Sequence, residues 1–259
     1  MCIEQNLKFL NTDGKPFVIV DKPAGLPSAP ISLSDTENAL IKASKSFPEI
    51  LSVKGKKEIE HGLLHRLDTQ TSGLLLLAKT QEFYDYMQNE QLENRFSKFY
   101  QAECQIQRLN FSRLEGFPVP DFNIDNIKTD DAFEVKSFFR HYGQKNSQTR
   151  PVTQASNPAA LKKLGKKELY TTQVRILSVK AEACKVECKI TKGFKHQVRC
   201  HLAWIGLPVF NDFLYNADFI GSEQDIKKAE NKLCFSASKI EFYYPRGDLN
   251  SYDRKDTWT

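Results

Sequence analysis

The hydrophobic positions of this chain fall into short runs that read more often as paired strands than as helices. Phe17-Val18-Ile19-Val20 predicts a buried strand. It ends at Lys22-Pro23-Ala24-Gly25, where proline fixes one dihedral and glycine permits a turn. A helix is predicted from Asp35 or Thr36 to Ser46, with Asp35 as its cap and Pro48 as its stop. Leu74 to Leu77 are consecutive leucines, which periodicity alone leaves open between strand and helix. Gly73 in front and the polar, helix-like stretch Gln81 to Leu92 behind favour a central strand and then a helix. Phe96 to Ile106 alternates as a strand, with Phe96, Lys98, Tyr100 and Ala102 on one face and Phe99 and Gln101 on the other.

Further along, Leu109 to Asp131 is rich in Pro, Asp and Asn, and Gly143 to Pro151 is polar and basic, so about 109–151 reads as an irregular insertion. Glu168 to Val179 and Ala181 to Thr191 predict a hairpin turning near Lys180. His196 to Ile205 predicts a helix stopped by Gly206 and Pro208, and Leu233 to Tyr243 a last strand. Strands and helices do not alternate in the regular order of a parallel doubly wound sheet, which points to an α+β fold. There is no internal repeat, and the expectation is one domain over residues 1–259.

Composition narrows the function. With 259 residues and 40% hydrophobic content the chain can bury a sizeable core, and a net charge of +5 suits a polyanionic partner without requiring one. The start, Met1-Cys2-Ile3-Glu4-Gln5-Asn6, lacks a signal-like apolar region, and no run approaches the ~20 apolar residues of a membrane span. A cytoplasmic protein is expected. Its six cysteines are scattered with no C-x-x-C pair, so free thiols are expected rather than a metal site or a disulfide framework. In a strand, Cys184 and Cys188 would lie ~13 Å apart, too far to bridge.

The candidate chemistry lies in His65-Arg66-Leu67-Asp68-Thr69-Gln70-Thr71-Ser72-Gly73. This stretch sets a carboxylate between a basic residue and a hydroxyl-rich turn, just before an apolar run. It matches the H-R-L-D-x-x-T-S-G motif of the RluA-type RNA pseudouridine synthases. Asp21-Lys22-Pro23-Ala24-Gly25-Leu26-Pro27, Phe99-Tyr100-Gln101-Ala102, Lys195-His196-Gln197-Val198-Arg199-Cys200-His201-Leu202 and Gly206-Leu207-Pro208-Val209 follow the same family's order. The chain resembles that family over nearly its whole length. The resemblance implies the pseudouridine synthase fold, a mixed, mainly antiparallel central sheet with flanking helices and a central cleft. The S4 module that many relatives carry is not expected ahead of the first motif.

Pseudouridine formation breaks the bond between uracil and ribose, turns the freed base and rejoins it through carbon. Atoms and electrons balance without a metal or an organic cofactor, so none is expected. The resemblance implies that Asp68 is the essential carboxylate, that Arg199 pairs with it, and that Tyr100 lies against the uracil and takes part in proton transfer. A carboxylate in a cleft needs such a cation, because desolvation favours the neutral acid. Uridine stacked in RNA must first be flipped out, and Arg66 is the implied filler of the vacated space. His65, Leu67, Thr71, Lys22, Lys195, His196 and Gln197 complete the expected RNA contacts, with Leu233 or Phe235 as an apolar wall. Lys79 and the basic stretch Arg140 to Arg150 extend the track for phosphates.

The chain departs from the family's pattern where Gly193-Phe194 replaces Gly-Arg, where Asn211-Asp212 replaces Gly-Asp, and where Ser236 replaces a common His. These changes bear on target recognition more than on chemistry. The expectation is a monomeric enzyme that isomerises uridines in structured ribosomal or transfer RNA. A non-catalytic RNA-binding or RNA-folding protein on the same fold is the alternative. A glycoside hydrolase is remote, because no second motif-embedded acid accompanies Asp68.

Overall fold

In the computed structural model the described residues are 7–10, 13–107, 114–121, 124–156, 158–162, 164, 168–218, 232–245 and 247–254. They form two compact units, Met1–Phe99 with Ser236–Thr259, and Tyr100–Phe235.

The first unit contains β1 (Lys8–Phe9), β2 (Phe17–Lys22), β3 (Ser72–Ala78), nearly all of β9 (Phe235–Tyr243) and β10 (Leu249–Asp253), with helices α1 (Ala39–Ser44) and α2 (Gln81–Leu92). Strand β2 pairs antiparallel with β1 and β3, β3 pairs parallel with β9, and β10 returns antiparallel on β9. Every residue of β2 is buried; its apolar run Phe17–Val20 predicts this, whereas the burial of Asp21 and Lys22 goes beyond it. Thr80 caps α2, its hydroxyl accepting the Phe83 N–H at 3.3 Å, so the predicted helix bounds hold. Helix α1 starts later than predicted. The side chain of Asn38 is its cap and accepts the Ile41 N–H, whereas the Asp35 carboxylate is engaged by the N–H groups of Ile31 and Glu37. Phe17, Phe83, Phe96 and Phe242 anchor the core of this unit.

The second unit contains most of β4 (Phe96–Gln105), β5 (Ala132–Tyr142), β6 (Gln148–Val152), β7 (Tyr170–Lys180), β8 (Ala183–Ile190), and helices α3 (Pro158–Lys162) and α4 (Gln197–Trp204). β8 lies beside β4, and the β7–β8 hairpin pairs antiparallel with one bulge between Ile176 and Ser178. The pairings whose register is described are thus mainly antiparallel, with β3–β9 parallel among them, as the α+β reading expects.

The stretch read as an irregular insertion is partly regular. Its residues 109–113 and 122–123 lie outside the described residues, but β5 and β6 form an antiparallel hairpin within it. The period was hidden because β5 buries Ser137 between Val135 and Phe139, and because Pro151 falls in β6, an edge strand that tolerates proline. Ser137 is buried for a reason: its hydroxyl meets His201 Nε2 at 2.9 Å, while the Thr172 hydroxyl meets Nδ1 at 2.8 Å.

Burial pushes His201 down from 6.5 to about 3. In the first unit burial, helped by Lys98, does the same to His65. As pH falls below 6.5 the unfolded chain takes up protons that these folded imidazoles refuse, so stability is full above that value and is lost as pH falls towards 3. The thermal midpoint is expected to drop steeply from about pH 7 to about pH 4, and His201→Leu, though less stable at neutral pH, should show a shallower drop. An identical slope in the variant would refute this role of His201.

The described cysteines, Cys104, Cys184, Cys188, Cys200 and Cys234, are free thiols; Cys2 lies outside the described residues. Burial pushes the thiols of Cys104, Cys188 and Cys200 up. They are poor nucleophiles. Among the described residues no helix is long and apolar enough to cross a membrane, and no group of His, Cys, Asp and Glu could hold a metal ion.

Candidate active site

The loop carrying Asp68 is held through its backbone. The buried Ser28 hydroxyl donates to the Leu67 carbonyl at 2.8 Å and accepts the Leu67 N–H at 2.9 Å. The Gly25 N–H donates to the Thr69 carbonyl at 2.8 Å, and the Thr71 N–H closes a turn onto the Asp68 carbonyl at 3.0 Å. Lys22 adds three bonds from one ammonium, to the carbonyls of Leu26 (2.7 Å), Pro23 (3.1 Å) and Thr69 (3.2 Å). The segment from Asp21 to Ser28 and the motif from His65 to Gly73 therefore form one braced structure, with Asp68 between two anchored neighbours.

Lys22 is 0% exposed, so the phosphate contact expected of it is corrected to an internal brace. Burial pulls its ammonium down to about 7, the charges of Asp68 and then Asp21 push it up, and Arg254 pushes it down. Three carbonyl acceptors use all three of its N–H donors, which favours the charged form. On the other side of Asp21, Arg254 lies 2.9 Å from its carboxylate and donates to the Ser72 hydroxyl at 3.0 Å. Arg254, just past β10, thereby ties down the end of the Asp68 motif. Gly73 has φ +123°, and a Cβ there would lie 2.1 Å from the Ala237 carbonyl oxygen, so β9 can approach β3 only at a glycine.

Around Asp68 the expected contact residues divide. Arg66 is exposed, 3.5 Å from Glu60, and is accessible to a large ligand. Leu67 and Thr71 are buried. The His65 ring turns inward: its Nε2 accepts the Leu76 N–H at 3.1 Å, so the proton sits on Nδ1, which is buried without a hydrogen-bond partner among the described residues. A neutral, inward imidazole braces β3 at Leu76, which corrects the expected contact with RNA.

In the second unit, Tyr100 and Phe235 stack with ring centroids 5.1 Å apart and planes 6° from parallel. Both are buried, and they form a flat aromatic pair of the kind on which a pyrimidine can stack. Leu233 is half-buried, and its carbonyl accepts the Phe235 N–H at 2.8 Å. Arg199, on α4, is 2% exposed and is gripped by Asp212, whose oxygens accept from Nε and Nη2 at 2.7 Å each. The same carboxylate accepts the N–H groups of Leu214 and Tyr215, so it fixes a turn and a guanidinium together.

His196 opens α4 with a left-handed backbone, φ 56°, and its Nδ1 lies 3.0 Å from the Tyr215 hydroxyl. Burial pushes that phenol up, and its oxygen also accepts the Thr149 N–H at 2.8 Å. Gln197 is buried, donating to the Thr171 carbonyl and the Thr172 hydroxyl and accepting the Phe194 N–H; this replaces the expected RNA contact with an internal one. Lys195 is exposed and donates to the Asn146 carbonyl at 2.7 Å.

Two departures from the family pattern acquire reasons. Asn211 has φ 61°, a left-handed conformation that asparagine tolerates in place of glycine. Phe194 stacks on His141 at 4.9 Å and on Phe139 at 5.2 Å, becoming an apolar anchor where a cation was expected. Ser236 pairs with Ser72 at the start of the β3–β9 contact, and nothing in the structure explains its choice over histidine.

Sequence reasoning missed Ser28 and Arg254 altogether and noted Asp212 only as half of a changed dipeptide. The aspartate of the changed Gly-Asp dipeptide was the available signal for Asp212. Ser28→Ala would strip both hydrogen bonds from the Leu67 peptide. It is expected to lower stability by about 1–3 kcal/mol in chemical unfolding, while Ser28→Thr should restore most of it. Unchanged stability in the alanine variant would contradict the brace.

The chain belongs to the RNA pseudouridylate synthase family, whose model matches residues 16–204. It is 27% identical over 237 residues to an uncharacterized RNA pseudouridine synthase of Mycoplasma pneumoniae, covering 90% of this chain and 61% of that one. It is 27% identical over 210 residues to the tRNA pseudouridine(31) synthase of Saccharomyces cerevisiae, covering 78% of this chain and 45% of that one. The chain thus spans less than two thirds of the length of these curated relatives. The solved structure of human RNA pseudouridylate synthase domain containing 1 matches with a TM-score of 0.60 at 15% identity, covering 96% of this chain and 82% of that chain. That likeness establishes the fold.

Proposed function

We propose that this chain is an RNA pseudouridine synthase that isomerises uridines in structured ribosomal or transfer RNA, working as a monomer in the cytoplasm. Asp68 is its catalytic carboxylate. The observation that carries the reading is the bracing of the Asp68 loop from both sides by Ser28 and Lys22, through backbone atoms alone. Such bracing fixes the backbone from which the carboxylate projects, and positioning of this kind governs catalytic rate. Family membership supports the reaction, and the yeast relative's name supports a transfer RNA as one class of target.

In this reading Arg199 arrives to keep Asp68 ionised, with Asp212 fixing its plane, and Tyr100 on Phe235 receives the flipped uracil. Arg66, exposed beside Asp68 in sequence, fills the gap left in the RNA stack. The bond from ribose C1′ to uracil N1 breaks, a bond from C1′ to C5 forms, C5 loses its hydrogen and N1 gains one. The test is a site-resolved pseudouridine map of total RNA from the source organism with and without this gene. Loss of one or a few pseudouridines, restored by the wild-type gene, is expected, and identical maps would overturn the proposal.

A further inference from the structure

Arg140 on β5 and Arg150 on β6 stand directly opposite one another in the hairpin register. Both guanidinium carbons lie over the Tyr142 ring, Arg150 at 3.2 Å and Arg140 at 5.2 Å from its centroid. Like charges placed across neighbouring strands repel. Yet among the described residues neither arginine has a carboxylate partner, and the buried Nε of Arg150 has no acceptor. Burial and the Arg150 charge push Arg140 down from its ordinary value. The pair is held in place nonetheless: a Cβ on Gly116, at φ +75°, would lie 2.1 Å from Arg150 Nη1, so the 116 backbone presses against that guanidinium.

Two fixed cations without a counter-charge suit an anion with several oxygens, because planar guanidinium forks match phosphate geometry. The hairpin is also tied to the segment bearing His196 and Arg199. The Thr149 N–H donates to the Tyr215 hydroxyl, Cys200 Sγ donates to the Thr149 carbonyl at 3.4 Å, Lys195 donates to the Asn146 carbonyl, and Phe194 stacks on His141. An anion held by the hairpin is therefore held in register with α4. We propose that Arg140 and Arg150 form a clamp for a phosphodiester of the RNA substrate; this deepens, and rests on, the reading of the chain as an RNA-modifying enzyme. The Tyr142 ring lies within reach of both guanidinium groups and partly offsets their repulsion.

The test is binding of a fluorescent oligouridylate of about 20 nucleotides to the full chain over a series of KCl concentrations. In the double variant Arg140→Gln/Arg150→Gln the slope of log affinity against log salt should become shallower by about 1.4, two single-strand phosphates at about 0.7 each. Arg140→Lys/Arg150→Lys should recover most of that slope, since lysine keeps the charge and loses only the fork. Should the double glutamine variant fail to fold, Arg140→Gln alone should lose about 0.7. A glutamine variant with the wild-type slope overturns the clamp. The same preparations are assayed for pseudouridine formation: a wild type that forms none defeats the enzymatic reading, while the salt slope still decides the clamp.

Discussion

Asp68→Asn is expected to abolish pseudouridine formation, lowering turnover by at least about a thousandfold, with little change in stability. Asparagine keeps the size of the side chain and removes only its charge. The bonds that shape the loop come from backbone atoms of Leu67, Asp68 and Thr69, so they survive the substitution. Chemistry and structure are thereby separated in one variant. In cells lacking the gene, the wild-type sequence should restore every missing pseudouridine and the variant none. Restoration by the variant would remove Asp68 from the reaction.

The second large effect is expected at Asp212. Its side chain is 0% exposed and that of Arg199 is 3% exposed, so removing the carboxylate takes a bidentate partner from a buried guanidinium. Breaking such a pair costs about 3–5 kcal/mol, far beyond the few tenths typical of a surface ion pair. Asp212→Ala also removes the acceptor for the Leu214 and Tyr215 N–H groups. Urea unfolding should show the loss directly. Asp212→Asn, which keeps an acceptor oxygen for the turn, should lose less stability but still release Arg199 from its fixed plane and depress turnover. Wild-type stability in the alanine variant would mean that the pair does not hold this end of α4.

Much of the fold could be read from local pattern because local physics decided it. Strands β2 and β3 are built on the apolar runs Phe17–Val20 and Leu74–Ala78, buried on both faces, and α2 begins at a threonine cap that no neighbour contests. Helix α1 starts elsewhere because Asp35 and Asn38 are both capping residues, and only the folded chain decides which oxygen meets the Ile41 N–H. The β5–β6 hairpin was hidden because Ser137 owes its burial to His201, 64 residues away. Likewise, the motif named Asp68, Tyr100 and Arg199, but the groups that hold them were less visible. Ser28 acts on Leu67 across 39 residues and Lys22 on Thr69 across 47, and no local spacing encodes either bond. Lys22, His65 and Gln197 looked like surface contacts because lysine, histidine and glutamine are usually exposed or half-exposed. Their burial is explained by full use of their donors and acceptors inside, apart from Nδ1 of His65.

The central claim, that the Asp68 carboxylate drives replacement of the C5 hydrogen of uridine by the ribose carbon, has a direct readout. RNA transcribed with uridine tritiated at C5 loses its label to water only if that position is rejoined to the sugar. Incubation of ribosomal and transfer RNA from the gene-deletion strain with the purified chain should release tritium in proportion to the sites modified, and Asp68→Asn should release none. Release by the variant at the wild-type rate, or no release by the wild type, would contradict the account.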